Sequence, residues 1–417
     1  MSTHSPAPAV ASFARRGLII LTLINLFNYL DRYIVSALAE SLRLSLHLSD
    51  AQLGAVMTAF LISFTLTAPL LGGLGDRAPR PRVIAIAVAI WSIATALSGF
   101  AGGFLALLAA RAAVGIGEAA YGTIGPALIA DYFPLAIRGR VFSVFFAAIP
   151  IGSAAGYVLG GLVDQRFGWR AAFFIAGAPG LILAILALTL VDPPRGATDA
   201  HASDPATSRN SWRTYLMLLR NRPYRLTVLG YAAYTFALGG LAFWTPAFLE
   251  RMRGLPKQQA TAGFGAIVVI TGFIGTFLGG WLGDRLLIRH KQAYLWLSGL
   301  STLAAAPIAV IAFTARSPII YFSAFVVIEI LLFMSTGPVN SAIVGHVGAH
   351  ERARAVGLSI FVIHTLGDVP SPPLMGALSD RTTLATAFLI VPVAIAVAGA
   401  IWTWAAWTAD RELQPQR

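Results

Sequence analysis

The stretch Gly72-Gly73-Leu74-Gly75-Asp76-Arg77 closes a long apolar run and is the first of four copies of one pattern. Each copy has a Gly, a Leu two residues later, an Asp two residues after that, and an Arg close behind. The other copies are Gly160-Leu162-Asp164 with Arg166, Gly280-Leu282-Asp284 with Arg285, and Gly376-Leu378-Asp380 with Arg381. The first and third Asp are 208 residues apart, half of the 417-residue chain. The pattern therefore predicts an internally duplicated fold.

Twelve long apolar runs surround these copies. The chain is 57% apolar and only 12% charged, whereas soluble domains carry about 25% charged residues. A run of about 20 apolar residues is long enough to cross the hydrocarbon core as a helix. The predicted spans are 17–38, 51–73, 83–102, 104–130, 141–162, 170–190, 224–249, 260–283, 293–314, 318–345, 355–377 and 383–408. We therefore predict an all-α polytopic membrane protein with twelve transmembrane helices.

The four copies end spans 2, 5, 8 and 11, which alternate in direction through the membrane. This placement predicts two six-helix halves, each built from 3+3 inverted repeats, as in secondary transporters. The predicted domains are an N-terminal six-helix bundle, residues 1–190, and a C-terminal six-helix bundle, residues 223–417. The polar segment 191–222 between them is predicted to be a cytoplasmic linker, with a short amphipathic surface helix over 211–220.

Basic residues are distributed unequally between the two sides of the predicted membrane. The side that holds the N-terminus carries 20 Lys and Arg, and the other side carries 8. Cytoplasmic loops are the ones enriched in Lys and Arg. We therefore expect a multi-pass protein of the cell (inner) membrane, with both termini in the cytoplasm.

Several functional classes are excluded by composition. The chain has no Cys, so thiolate chemistry and Cys-based metal sites are ruled out. Neither Lys257 nor Lys291 follows a Gly, so no phosphate-binding loop for ATP is present. The basic residues lie at helix ends rather than in one block, which argues against a nucleic-acid partner. We expect no enzymatic activity, cofactor or metal. The expected partners are a small-molecule or lipid substrate, protons and the bilayer, and we expect a monomer.

Six ionisable residues lie deep in predicted spans, where a charge is costly and usually functional. They are Asp31 and Arg32 on span 1, Arg111 and Glu118 on span 4, Glu329 on span 10 and Asp368 on span 11. Arg111 and Glu118 are seven residues apart, two turns along one helical face, and we expect them to be coupled. The four charges on spans 1 and 4 are the candidates for proton coupling. The alternative is a static ion-pair cluster that only joins two helices.

Substrate contact and gating have their own candidates. The residues predicted to bind substrate are polar or aromatic and share faces with the buried charges: Asn28, Tyr29, Arg111, Glu118, Tyr121, Tyr234, Trp244, Glu329, His364 and Asp368. The prolines that follow Asp368 predict a break in span 11. The residues predicted to form a cytoplasmic gate lie at helix ends: Asp76, Arg77, Asp131, Arg138, Asp284 and Arg285. The alternative is that these residues are only water-exposed helix ends on the side of the membrane that is enriched in Lys and Arg.

The loop Gly72-x-Leu74-x-Asp76-Arg77-x-x-Arg80 resembles the signature loop of the major facilitator superfamily. Within that superfamily, residues 28–32, 111–119 and 364–372 resemble the spinster-like lipid transporters. The resemblance implies alternating access, a lysolipid or sphingoid-type solute, and a proton-coupling role for Asp31 and Glu118.

Two other functions remain open on the sequence. One is facilitated transport of a small organic anion or a drug-like solute, with Arg111 as its counter-ion. The other is a non-transporting membrane receptor or scaffold, against which the intramembrane carboxylates argue.

Overall fold

The computed structural model describes residues 8–133, 135–194, 212–347 and 352–413, and no strand occurs in these ranges. The helices of the first part of the chain are α1 Pro8–Leu46, α2 Asp50–Arg77, α3 Arg80–Ser98, α4 Phe104–Tyr132, α5 Leu135–Phe167 and α6 Trp169–Ala187. Each of them overlaps one predicted span, and α1 extends beyond its apolar run at both ends.

The second part of the chain is also helical. Its helices are α7 Trp212–Arg220, α8 Arg222–Arg253, α9 Lys257–Leu287, α10 Ala293–Thr314, α11 Pro318–Phe333, α12 Thr336–Gly345, α13 Arg352–Ile363, α14 Ser371–Arg381, α15 Leu384–Phe388 and α16 Ile390–Leu413. The short helix α7 occupies the position of the predicted surface helix, whereas most of the predicted linker, 195–211, lies outside the described residues.

Eleven helices in the described ranges are long and apolar enough to cross a membrane. The other predicted span, 355–377, consists of α13, a π-helical segment His364–Asp368, and α14. Proline explains where α14 begins, because Pro372 lies in its first turn, where a missing N–H is tolerated. The predicted all-α membrane fold is confirmed, and span 11 is broken where its prolines indicated.

The chain forms two compact units. The first contains Met1–His47 and Ala59–Ser208, and the second contains Leu48–Thr58 and Arg209–Arg417. The first turns of α2 therefore belong to the second unit, which a division at the linker alone does not predict. Because successive spans alternate in direction, α1 begins at one membrane face, here called the terminal face, and α2 begins at the opposite face.

Helix α1 is central to the first unit and packs mainly against α5, with further contacts to α6 and α4. Small residues of α5 permit this approach. A Cβ atom on Gly156 would lie 2.5 Å from the carbonyl oxygen of Leu30, so a larger residue cannot replace this glycine without moving α1. With one face committed to α5, α1 turns Asp31 and Arg32 towards α4.

Helix α8 has the corresponding position in the second unit and packs against α16, the π-helical segment and α13. Buried polar groups fix these contacts. The indole Nε1 of Trp402 donates to the carbonyl of Thr227 at 2.9 Å, and the hydroxyl of Tyr224 donates to the carbonyl of Ala355 at 2.6 Å. The aromatic residues of α8 thus serve first as packing and hydrogen-bonding groups.

Candidate functional site

The first ion pair of the candidate site joins α1 to α4 and α3. The guanidinium of Arg111 donates from Nη1 to both carboxylate oxygens of Asp31, at 3.3 and 3.2 Å. The hydroxyl of Thr95 donates to Asp31 Oδ2 at 2.8 Å. Asp31 is 2% exposed and Arg111 is 1% exposed, so this pair is shielded from water.

The second ion pair lies beside the first one. Arg32 Nη2 donates to Glu118 Oε2 at 2.9 Å, and the Glu118 side chain is fully buried. Glu118 Oε1 and Arg32 Nε have no hydrogen-bond partner within the described part of the chain. One polar atom of each residue therefore makes no hydrogen bond to a described residue, and a buried charged group without its hydrogen bonds lowers the stability of the fold.

Aromatic rings surround the Arg32 guanidinium. Its Cζ lies 4.9 Å from the ring centroids of Tyr29 and Phe60 and 5.3 Å from that of Phe64. Rings at this distance attract a cation through their negative faces. The arrangement places a guanidinium with one unsatisfied N–H against an apolar wall.

Arg32 forms the ion pair with Glu118 and Arg111 forms the ion pair with Asp31, so the expected coupling of Glu118 to Arg111 does not take the form of a direct bond. The reason is geometric. Seven residues of helix rise by about 10 Å, so two groups on one face of α4 are too far apart to bond easily. Each instead meets an opposite charge on α1, where adjacent residues point in different directions.

The other substrate candidates of the first unit have varied surroundings. Asn28 is buried, Tyr29 is half-buried beside Arg32, and Tyr121 is almost fully buried. The Tyr121 hydroxyl donates to the carbonyl of Leu21 at 2.5 Å, which gives this side chain a structural bond in the described state.

Two aromatic candidates of the second unit are also hydrogen-bonded core residues. The Tyr234 hydroxyl donates to the carbonyl of Leu332 at 2.8 Å, and Trp244 Nε1 donates to the carbonyl of Pro372 at 3.0 Å. Both side chains join α8 to a neighbouring segment.

The acidic candidates of the second unit lack an Arg or Lys partner in the described ranges. Glu329 is 2% exposed, and no described residue hydrogen-bonds to its carboxyl group. Asp368 instead contacts His364, whose Nδ1 lies 2.9 Å from Oδ1, within the π-helical segment. Because π-helical turns often occur at functional sites, this break in the helix is consistent with a role in transport.

Asp131, a predicted gate residue, belongs to a charge network at the terminal face whose other members sequence reasoning missed. Arg80 donates to the carboxylates of Asp131 and Asp192 and to the carbonyl of Pro193. This one side chain joins the start of α3, the end of α4 and the segment after α6. The signal was present, since Arg80 belongs to the first repeat loop and Asp192 ends an apolar run.

The remaining gate candidates are described only in part. The side chains of Asp76 and Arg138 lie outside the described part of the structure, and Arg77 is exposed. Asp284 accepts a hydrogen bond from the Tyr294 hydroxyl at 2.8 Å, and Arg285 lies over the Trp281 ring.

A second network was missed at the opposite face, where Asp50 at the start of α2 accepts from Arg251 and Ser379. The fourth copy of the repeat, which contains Asp380, was the signal that could have drawn attention to it.

Three matches to known protein sequences bear on the family of this chain. A family model described as Major Facilitator Superfamily matches residues 21–372. Spinster homolog 1 of Mus musculus is 37% identical over 384 residues, which cover 87% of this chain and 72% of that protein. Spinster homolog 3 of Danio rerio is 35% identical over 408 residues, which cover 91% of this chain and 81% of that protein.

Solved structures show the same fold. A bacterial homolog to the human lysosomal transporter spinster, in an inward-facing and unoccupied conformation, has a TM-score of 0.88 at 24% identity and covers 99% of this chain and 100% of its own. A D-xylose-proton symporter has a TM-score of 0.75 at 16% identity, over 95% of this chain and 97% of its own.

Proposed function

We propose that this chain, which belongs to the major facilitator superfamily and is a relative of the spinster transporters, moves an amphipathic organic solute by proton-coupled alternating access. The solute class we favour is a lysolipid or sphingoid-type lipid. The observation that carries the proposal is the crossed pair of ion bridges, Asp31 with Arg111 and Glu118 with Arg32.

Glu118 is the group best placed to take up the transported proton. One of its carboxylate oxygens is bonded to Arg32, while the other is buried and has no described partner. A proton on that second oxygen neutralises the carboxyl group, so Arg32 loses its counter-ion. Since only a difference in interaction between two states can shift their populations, this loss couples proton binding to rearrangement of α1 and α4.

The surroundings of Arg32 favour a solute that is both charged and apolar. A guanidinium released from Glu118 can bind an anionic headgroup. The rings of Tyr29, Phe60 and Phe64 beside it provide an apolar surface for the chain that follows. One structural neighbour is a homolog of a lysosomal transporter, and it shares the fold at 24% identity.

The further assignments follow from the same proposal. The terminal face is cytoplasmic, as the excess of basic residues indicates, and the protein acts as a monomer in the cell membrane. The second unit contributes solute contacts through Tyr234, Trp244, Glu329, His364 and Asp368. The gate residues at the terminal face are Asp76, Arg77, Asp131, Arg138, Asp284 and Arg285.

A transport assay in proteoliposomes tests the proposal. The purified chain is reconstituted, a pH gradient is imposed, and uptake of a fluorescent lysophospholipid is followed with time. Glu118→Gln should abolish pH-driven uptake, because the amide cannot bind and release a proton. Counterflow exchange of the same lipid needs no net proton movement and should persist in this variant.

Glu40→Gln is the matched control. It makes the same chemical change on α1, but Glu40 pairs locally with Arg43 at the end of the helix. This variant should transport like the unmodified chain. Normal pH dependence in folded Glu118→Gln would remove Glu118 from the mechanism. Uptake of a small organic anion, without uptake of the lysophospholipid, would favour the alternative function of a facilitator for small organic anions.

A further inference from the structure

We infer that Asp380, the Asp of the fourth repeat copy, closes a latch on the start of α2 and sets how often the opposite face opens. The latch consists of Asp50, Arg251, Ser379 and Asp380. The inference rests on the proposed alternating access, and it assigns a positioning role to a repeat copy that the proton-coupling mechanism does not use.

Asp380 caps a helix that lies more than three hundred residues away in sequence. Its Oδ1 accepts from the backbone N–H of Asp50 at 2.8 Å, and its Oδ2 accepts from that of Ala51 at 2.9 Å. The first N–H groups of a helix have no partner within it, and the helix dipole favours a negative charge there. The carboxylate therefore supplies both the hydrogen bonds and the charge that the start of α2 requires.

The Asp50 side chain strengthens this attachment. Its Oδ2 accepts from Arg251 of α8 at 2.7 Å and from Ser379 of α14 at 2.6 Å. Asp50 is 5% exposed, so these charge-assisted bonds are partly protected from water. One residue of α2 is thus bound by side chains from two helices of the second unit.

Close backbone contacts extend the latch along α2. A Cβ atom on Gly54 would lie 2.5 Å from backbone atoms of Pro372 and Pro373, and one on Gly376 would collide with the carbonyl of Asp50. One turn further on, the hydroxyl of Thr58 donates to the carbonyl of Val369 at 2.5 Å. The start of α2, residues 50–58, therefore packs against α14 and the residues just before it, inside the second unit.

The other described repeat copies behave differently. Asp164 accepts from the hydroxyl of Ser41 on α1, and Asp284 accepts from the hydroxyl of Tyr294 on α10. Each of these bonds joins helices of the same half of the sequence. Asp380 instead binds the start of α2, whose first turns belong to the second unit while the rest of the helix belongs to the first. Opening of the opposite face therefore requires this contact to break or α2 to bend.

Distance measurements between spin labels test the latch. The chain has no Cys, so a pair at His47 and Thr382, both exposed at the opposite face, can be introduced and labelled alone. Asp380→Ala should increase the population of long distances about tenfold, because two charge-assisted bonds to α2 are lost. Asp164→Asn is the matched control, since it alters a repeat copy on the same face, and its distances should not change.

Arg251→Gln and Asp380→Asn provide the test if Asp380→Ala does not fold. Each weakens the latch without emptying the site, so each should shift the distances in the same direction by a smaller factor. Unchanged distances in folded Asp380→Ala, or in both substitute variants, would overturn the inference. The measurement needs neither solute nor pH gradient, so loss of proton coupling in the transport assay would not be mistaken for failure of the latch.

Discussion

The two units of this transporter hold the acids within their predicted spans in different ways. In the first unit each of these carboxylates has a guanidinium partner, Asp31 with Arg111 and Glu118 with Arg32. In the second unit no described residue hydrogen-bonds to Glu329, and Asp368 contacts a histidine, which is a cation only when protonated. Within the spans, the first unit therefore balances charge with charge, whereas the acids of the second have no Arg or Lys partner in the described ranges.

The helices that carry Asp31, Glu118 and Asp368 differ in the same sense. α1 and α4 run without interruption through 39 and 29 residues. The acid of span 11 lies in a π-helical segment between two short helices. Continuous helices hold paired charges in a fixed geometry, while a broken helix allows local movement. We expect proton coupling in the first unit and adaptable solute contact in the second.

Asp31→Asn removes one charge of an ion pair in the first unit and should have a large effect on stability and on uptake. Arg111 then becomes a buried cation without a counter-ion, and removing one partner of a buried pair costs about 3–5 kcal/mol. We expect pH-driven uptake to fall about tenfold, by analogy with the energy of one or two charge-assisted bonds. Thermal unfolding in detergent and proteoliposome uptake measure the two effects.

Thr95→Val is the control for Asp31→Asn. It removes one hydrogen bond to the same carboxylate but keeps both charges. Its losses in stability and uptake should be clearly smaller. Equal losses in the two variants would mean that the hydrogen bond, and not the charge balance, is the important term.

The fold was largely predictable from the sequence because a bilayer requires long apolar helices. Hydropathy located the spans, and the four repeat copies gave the duplication. The break in span 11 was also predictable, because Pro370 and its neighbours cannot continue a regular helix. What hydropathy does not contain is the close packing between helices that places the start of α2 in the second unit.

The sequence predicted which residues form the candidate site, but not which of them form ion pairs with each other. Burial cost alone identifies Asp31, Arg32, Arg111 and Glu118 as unusual residues. Which carboxylate meets which guanidinium depends on the rotation and height of α1 relative to α4, and periodicity within one helix does not determine these. Thr95 was missed for the same reason, since hydroxyl groups in a span usually bond to their own helix.

Glu329→Gln removes an acid of the second unit that has no described hydrogen-bond partner, and it should have a moderate effect on uptake. No cation is left behind when this carboxyl is replaced, so thermal stability should remain close to that of the unmodified chain. If Glu329 contacts solute, KM should rise about threefold while kcat changes little, as for loss of uniform binding. Initial uptake rates over a range of solute concentrations give both constants.

Two results would contradict this view of Glu329. A stability loss as large as that of Asp31→Asn would mean that Glu329 has a charged partner in another state. An unchanged KM would remove it from the solute site and leave it as a neutral core residue.

Asp76→Asn sharpens a second comparison, between the first and fourth repeat copies, and should have the smallest effect. Asp380 caps the start of α2 at the opposite face. The same pattern at Asp76 ends α2 at the terminal face, where it is expected to cap a helix only when that face is closed. Its loss should raise labelling of single cysteines at the terminal face about twofold, since one weakened contact shifts a two-state ratio only modestly.

Asp380→Ala should raise labelling at the opposite face instead, so the two variants serve as controls for each other. Unchanged labelling on both sides in Asp76→Asn would rule out a gate at this copy and leave the fourth copy as a latch without a counterpart.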